Sequence, residues 1–135
     1  MTDIERAEKA ISWLIKTYEL PESTAPQFMA LAKGSTEVPI SGTAVASVYD
    51  ACQTHLADSL AVLPLDLIPA GARLIDLGTG LGFPGLALAT ARPDISVVLA
   101  DAVRKKVDAA AGLARAANLS NVECLWGRAE EIAAI

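Results

Sequence analysis

The chain of 135 residues has room for one domain, or for a small helical element beside part of a larger one, and 53% apolar against 20% charged residues excludes disorder. A net charge of −5 excludes a general nucleic-acid binder, so an RNA partner would have to be held by a local basic patch. The acidity is N-terminal, with nine acids and four bases in residues 1–67 and seven of each in residues 68–135.

At the start of the chain Thr2-x-x-Glu5 is a capping-box pattern. Ile4, Ala7, Ile11, Leu14, Ile15 and Tyr18 then recur on one face, which predicts a helix over 3–19. Pro21 closes it, and a second helix is expected over 22–33, stopped by Gly34. Residues 34–42 read as a loop. Val45, Val48, Tyr49, Cys52, Leu56, Leu60 and Leu63 then sketch a long amphipathic helix over 43–63. Pro64 and Pro69 punctuate a linker, so the expected division is a helical region 1–69 and an α/β region 70–135. Beyond Gly71 the period changes: strands over 73–77, 96–100 and 122–126 alternate with helices over 84–91 and 104–117, and 130–135 opens another helix. Connections this short imply right-handed crossovers and a parallel sheet in the order 3-2-1. In a doubly wound sheet the first strand is central, so three strands alone predict a bare apolar edge. The expectation is a fragment whose missing C-terminal half completes the sheet, with self-association through the exposed edge as the other outcome.

No apolar run approaches membrane-spanning length and Met1-Thr-Asp-Ile-Glu-Arg6 is no leader, so a cytoplasmic protein without membrane contact is expected. Cys52 and Cys124 lie far apart and the chain has one histidine, which leaves no expected metal site and makes both cysteines small core residues. Trp13, Tyr49 and Trp126 are likewise read as core.

The chemistry concentrates in Leu74-Ile-Asp76-Leu-Gly78-Thr-Gly80-Leu-Gly82-Phe-Pro84-Gly85, a buried strand running into a glycine-rich turn that opens a helix. Gly78, Thr79, Gly80, Gly82 and Phe83 form the expected floor of a site where a nucleotide-type cofactor lies against the backbone. Gly80-x-Gly82-x-x-Gly85 matches the dinucleotide fingerprint, a short pattern that also arises by chance. Asp76 favours S-adenosylmethionine instead, since a carboxylate there repels a pyrophosphate and attracts a sulfonium donor's cationic end. Pro84 points the same way because it offers no N–H to a phosphate. A tight turn without a ligand is the duller alternative.

Asp101 ends the second strand, where an acid accepts both hydroxyl hydrogens of a ribose, or alternatively caps the helix beginning near Arg104. An amide near Ala129 and the carboxylate of Glu130 stand where an adenine edge would be read; the plain alternative is a helix-terminal charge pair, Glu130-Glu131. Arg104-Lys105-Lys106 is the one basic run, either an RNA contact or a solvated helix face. His55 and Asp58 are helix neighbours, more simply a structural hydrogen bond that fixes one imidazole tautomer than an acid–base pair. No catalytic residue is assigned.

Asp76-Leu-Gly-Thr-Gly-Leu-Gly-Phe-Pro-Gly85, His55-Leu-Ala-Asp-Ser-Leu60, Asn121-Val-Glu and Gly127-Arg-Ala-Glu-Glu131, in this order, resemble the glucose-inhibited division protein B family from about residue 43 onward. The resemblance implies a Rossmann-like class I methyltransferase that uses S-adenosyl-L-methionine to methylate N7 of a guanine in 16S ribosomal RNA of the small subunit. It carries over Gly78, Phe83, Ala129 and Glu130 as donor-binding positions. Two departures bear on RNA: Ser41-Gly42-Thr43-Ala44-Val45-Ala46 replaces an Asn-Leu-Thr segment followed by arginine, and Thr54 stands where a basic residue precedes the histidine. The family also continues into further strands, one with an arginine-alanine pair beside the donor, so the chain alone is expected to be inactive. The other readings are a small-molecule methyltransferase and a non-catalytic nucleotide or NAD module.

Overall fold

The structure is a computed structural model and describes residues 1–38 and 45–134. Helix α1 (Asp3–Thr17) starts as its capping residue dictates, the Thr2 hydroxyl accepting the Glu5 N–H at 3.1 Å, and it buries Ala7, Ile11, Leu14 and Ile15. A single 3-10 turn, Glu22–Thr24, leads into α2 (Ala25–Glu37).

Gly34 does not end this helix, contrary to the expectation from sequence; α2 runs on through it to Glu37. The glycine serves packing instead, because a Cβ there would lie 2.3 Å from Leu113 Cδ2 on a facing helix. Of the loop expected over 34–42, residues 34–37 are therefore helical, and 39–42 lie outside the described residues.

The helix expected over 43–63 begins at Val48, with 43 and 44 outside the described residues. We call it α3, comprising α-helical Val48–Ala51, a π-helical stretch Cys52–Ala57 and α-helical Asp58–Leu60. Its start is capped twice: the Ser47 hydroxyl accepts the Asp50 N–H at 3.0 Å, and the Asp3 carboxylate accepts the Val48 and Tyr49 N–H groups, each at 2.9 Å. Those two amides hold the Asp3 carboxyl below its ordinary range.

Strands β1 (Arg73–Leu77), β2 (Ser96–Asp101) and β3 (Val122–Trp126) form a parallel sheet in the expected order, with β2 central. Helices α4 (Gly85–Ala91), α5 (Arg104–Ala116) and α6 (Ala129–Ala133) follow the three strands. Val97 to Ala100 of β2 are all buried, as a central parallel strand requires. The Asn121 side-chain amide donates to the carbonyls of Ala89 at 3.1 Å and Ile95 at 3.0 Å, tying the end of α4 to the start of β3.

One hydrophobic core joins the N-terminal helices to the sheet, with Phe28, Leu31, Leu56, Leu86 and Leu99 almost fully buried in it. Each such side chain contributes about 1.5–3 kcal/mol. β1 is bonded to β2 on one side, and among the described residues no strand pairs its other side. Ile75 and Leu77, on one face of β1, are 50% and 53% exposed, so apolar surface is uncovered on a face of the strand and not only along its edge. The aromatic residues depart from expectation. Trp13 is 61% and Trp126 60% exposed, because the apolar face of α1 is filled by smaller residues and Trp126 sits at the very end of its strand.

Candidate functional site

The glycine-rich turn leaves the carboxyl end of β1 and is held by groups of its own chain. Gly78 and Thr79 donate their N–H groups to the Ala100 carbonyl at 2.8 and 3.0 Å, which pins the turn to the end of β2. Gly78, Gly80 and Gly82 have φ of 69°, 61° and 107°, values that L side chains rarely adopt. The glycines differ in what surrounds them. A Cβ on Gly78 or Gly80 would meet open space, whereas one on Gly82 would strike Leu86 at 2.4 Å and one on Gly85 would strike Leu99 at 2.3 Å. Gly82 and Gly85 therefore serve close packing, and Gly78 and Gly80 leave room over the backbone.

Asp76 has a scaffold role that the sequence did not reveal. Its Oδ2 accepts the Thr79 hydroxyl at 2.8 Å and the Gly85 N–H at 3.0 Å, so it spans the turn and caps the start of α4. Leu86 N–H goes back to the Gly82 carbonyl at 2.6 Å. Two amides of the first turn are thus already paired, and Pro84 supplies none, so this helix start is a poor cradle for a pyrophosphate.

Asp101 stands across the turn from β1. Its Oδ2 accepts the Gly80 N–H at 3.0 Å and its Oδ1 the Val103 N–H at 2.9 Å. The second lone pair of each oxygen still has room for a donor such as a ribose hydroxyl. The first residues of α5 receive no side-chain cap, so Asp101 is not the N-cap of that helix. A cleft of about 200 Å³ at the carboxyl ends of the strands is lined by Leu77, Gly78, Asp101, Gly127 and Ala129, among others. Parallel α/β sheets bind ligands at this end. Glu130 is exposed in the first turn of α6 and does not line the cleft.

Phe83 faces a different space. It lines a cavity of about 470 Å³ together with Thr54, His55, Asp58, Pro84 and Leu88, and its ring stacks on His55 at 4.6 Å with the planes 9° apart. The expected His55–Asp58 hydrogen bond is not among those made by the described residues. The π-helical stretch carries His55 onto Phe83 instead, and the Ser59 hydroxyl donates to the His55 main-chain carbonyl. His55 Nε2 is buried without a hydrogen-bond partner among the described residues. Burial pushes its pKa below the ordinary value of 6.5, opposed by the more weakly acting Asp50.

A folded-state pKa below 6.5 means that the unfolded chain binds more protons than the folded one on acidification. The contribution of His55 is therefore complete above the unfolded value and falls as pH drops through 6.5 toward the folded value. His55 is the sole histidine, so urea midpoints measured at pH 7.5 and 5.5 are expected to differ, and His55→Phe should flatten that difference. An unchanged difference in the variant would assign the titration elsewhere.

With this geometry in view, the family model described as rRNA small subunit methyltransferase G matches residues 31–134. The chain belongs to that family. Curated members named ribosomal RNA small subunit methyltransferase G include one from Sorangium cellulosum, 42% identical over 91 residues that cover 67% of this chain and 38% of that protein. The protein of that name from Gloeobacter violaceus is 47% identical over 81 residues, 60% of this chain and 32% of its own length. The chain thus spans well under half the length of these family members. A solved putative O-methyltransferase from Klebsiella pneumoniae matches 90% of this chain and 50% of its own with a TM-score of 0.56 at 16% identity, a likeness of fold. The fold is the Rossmann-like α/β arrangement of class I methyltransferases.

Within this chain, Gly78, Gly80, Asp76, Asp101 and Ala129 gather around the strand ends, while Phe83 lies with His55 on the other side of the turn. Trp126, read from the sequence as a core residue, stands exposed at the strand ends instead. Its indole N–H donates to the Ala102 carbonyl at 3.0 Å, the Arg104 guanidinium lies 5.1 Å from its ring centre, and it is in register with Asp101. Its position as the last residue of a strand was the available signal. Cys52 packs in the core as expected, and burial pushes its thiol up to about 11.

Proposed function

We propose that this chain is the donor-binding part of an S-adenosyl-L-methionine-dependent methyltransferase acting on small-subunit ribosomal RNA, at N7 of a guanine. The carrying observation is the open backbone at Gly78 and Gly80 beside Asp101, in a chain of the rRNA small subunit methyltransferase G family. Gly78, Gly80 and Ala129 would let the donor lie against the backbone, with Asp101 taking the ribose hydroxyls. Asp76 braces the turn beneath them. Phe83, held by His55, and Glu130 would close the flanks. The donor supplies an electrophilic sulfonium methyl.

Guanine N7 has a free lone pair and no proton, so methylation there requires alignment and exclusion of water and no general base. The edge of β1 left unpaired among the described residues, with Ile75 and Leu77 exposed on one of its faces, supports a further proposal, that chain beyond these residues pairs with β1 and covers that face and that the 135 residues alone are inactive. We place the division between the helical region and the donor-binding half at 69/70.

Titration with S-adenosylhomocysteine and with NAD tests the donor reading: saturable binding of the former and none of the latter are expected. Binding of NAD without response to S-adenosylhomocysteine would overturn it. Asp101→Ala should weaken S-adenosylhomocysteine by about 1–3 kcal/mol, the loss of hydrogen bonds to a charged acceptor. A folded variant of unchanged affinity would leave Asp101 only its two backbone partners.

A further inference from the structure

We propose that α1 and α3 form a docking groove for single-stranded RNA, distinct from the donor cleft. Arg6, Lys9, Trp13 and Lys16 follow one another at spacings of three, four and three residues, which places them on one stripe of α1, and all four are exposed. The stripe borders a groove of about 470 Å³ whose floor includes Leu14 and Cys52 and whose far wall includes Tyr49 and Gln53. The Arg6 guanidinium lies over the Tyr49 ring, 4.2 Å from its centre. The ion pairs among the described residues are Arg92–Asp94 and Arg104–Asp108, so the three cations of the stripe have no carboxylate within pairing distance there.

This arrangement runs against the composition. The chain carries a net charge of −5 and the N-terminal half is its acidic half, yet four residues that suit a nucleic acid align on one helix face. An apolar protein segment would have to cover three cations that have no ion pair among the described residues to reach the groove. A single strand of RNA brings phosphates for the cations and base faces for an exposed indole. Lys9 and Lys16 are separated by about 10 Å along the helix, with Trp13 between them, which allows a stacked base flanked by phosphates. The groove shares a wall with the cavity at His55, since the π-helical stretch sends Gln53 and Ala57 to one and Thr54 and His55 to the other. A strand held on α1 would therefore be one helix away from the cavity that Phe83 and His55 line. The proposal rests on the ribosomal RNA reading for the origin of its partner, and on the stripe itself for the chemistry.

The test is the fluorescence anisotropy of a fluorescein-labelled uridine dodecamer titrated with the full chain at several salt concentrations, beside S-adenosylhomocysteine titrations of the same samples. Three phosphate contacts predict a log–log salt slope of about −2. Lys9→Glu combined with Lys16→Glu should reduce affinity more than tenfold and flatten the slope, and Trp13→Ala should cost roughly tenfold through lost stacking. All four side chains are exposed, so circular dichroism should be unaltered; Lys9→Gln with Lys16→Gln should give an intermediate loss. Wild-type affinity in every variant, absence of dodecamer binding, or self-association abolished by Trp13→Ala without RNA binding would overturn the groove. Variants that lose RNA but keep S-adenosylhomocysteine support it. Stripe-dependent RNA binding without any S-adenosylhomocysteine binding would sustain the groove while removing the donor reading.

Discussion

Gly80→Asp is expected to abolish S-adenosylhomocysteine binding while leaving the chain folded. Gly80 has φ of 61° and nothing within 4 Å of where a Cβ would stand, so the new side chain enters the open space proposed for the ligand rather than the protein interior. Its carboxylate would also stand close to Asp101, whose Oδ2 accepts the Gly80 N–H at 3.0 Å. The left-handed conformation costs an L residue roughly 1–2 kcal/mol, least for Asp and Asn, which a domain of ordinary stability survives. Calorimetric titration and a thermal melt check the two halves of the expectation. Unchanged affinity in a folded variant would make the turn purely structural.

Gly85→Val should do the reverse and act on folding. A Cβ at Gly85 would lie 2.3 Å from Leu99 Cδ2, 3.0 Å from Asp76 Oδ2 and 3.2 Å from Val97 Cγ1. Overpacking costs about 1–3 kcal/mol and occasionally more, and here it also pushes aside the carboxylate that caps α4. The variant should lose about 3 kcal/mol or more in urea unfolding, a large share of the 5–15 kcal/mol that holds a small domain together. A loss below about 1 kcal/mol would mean that β2 and α4 can separate at little cost. Gly34→Ala is the useful contrast, since there the new methyl meets only the tip of the Leu113 side chain.

The α/β half of the fold was legible because its signals are local. The bounds of β1 and β3 agree with those expected, and β2 extends one residue further, to Asp101. Short, mostly apolar stretches of five or six residues between glycine, proline and asparagine punctuation are sufficient for that. The helical half was legible only in part. α1 announced itself through Thr2 and its apolar face, whereas the start of α3 depends on Asp3, a cap 45 residues away in sequence for Val48.

The same division runs through the site. By itself the sequence determined that a strand empties into a turn rich in glycine, that an acid ends the next strand, and that three strands lie parallel in the order 3-2-1, because these follow from chain period and the conformations open to glycine. Only the tertiary structure decided how each group is used. It divided the glycines into two that pack and two that open on space, put the oxygens of Asp76 and Asp101 onto backbone amides, paired His55 with Phe83 rather than Asp58, and left Trp13 and Trp126 in solvent. A pattern of residues states which face of an element is apolar. Which faces meet, and which side chain fills the space between them, depends on contacts between segments far apart in the chain.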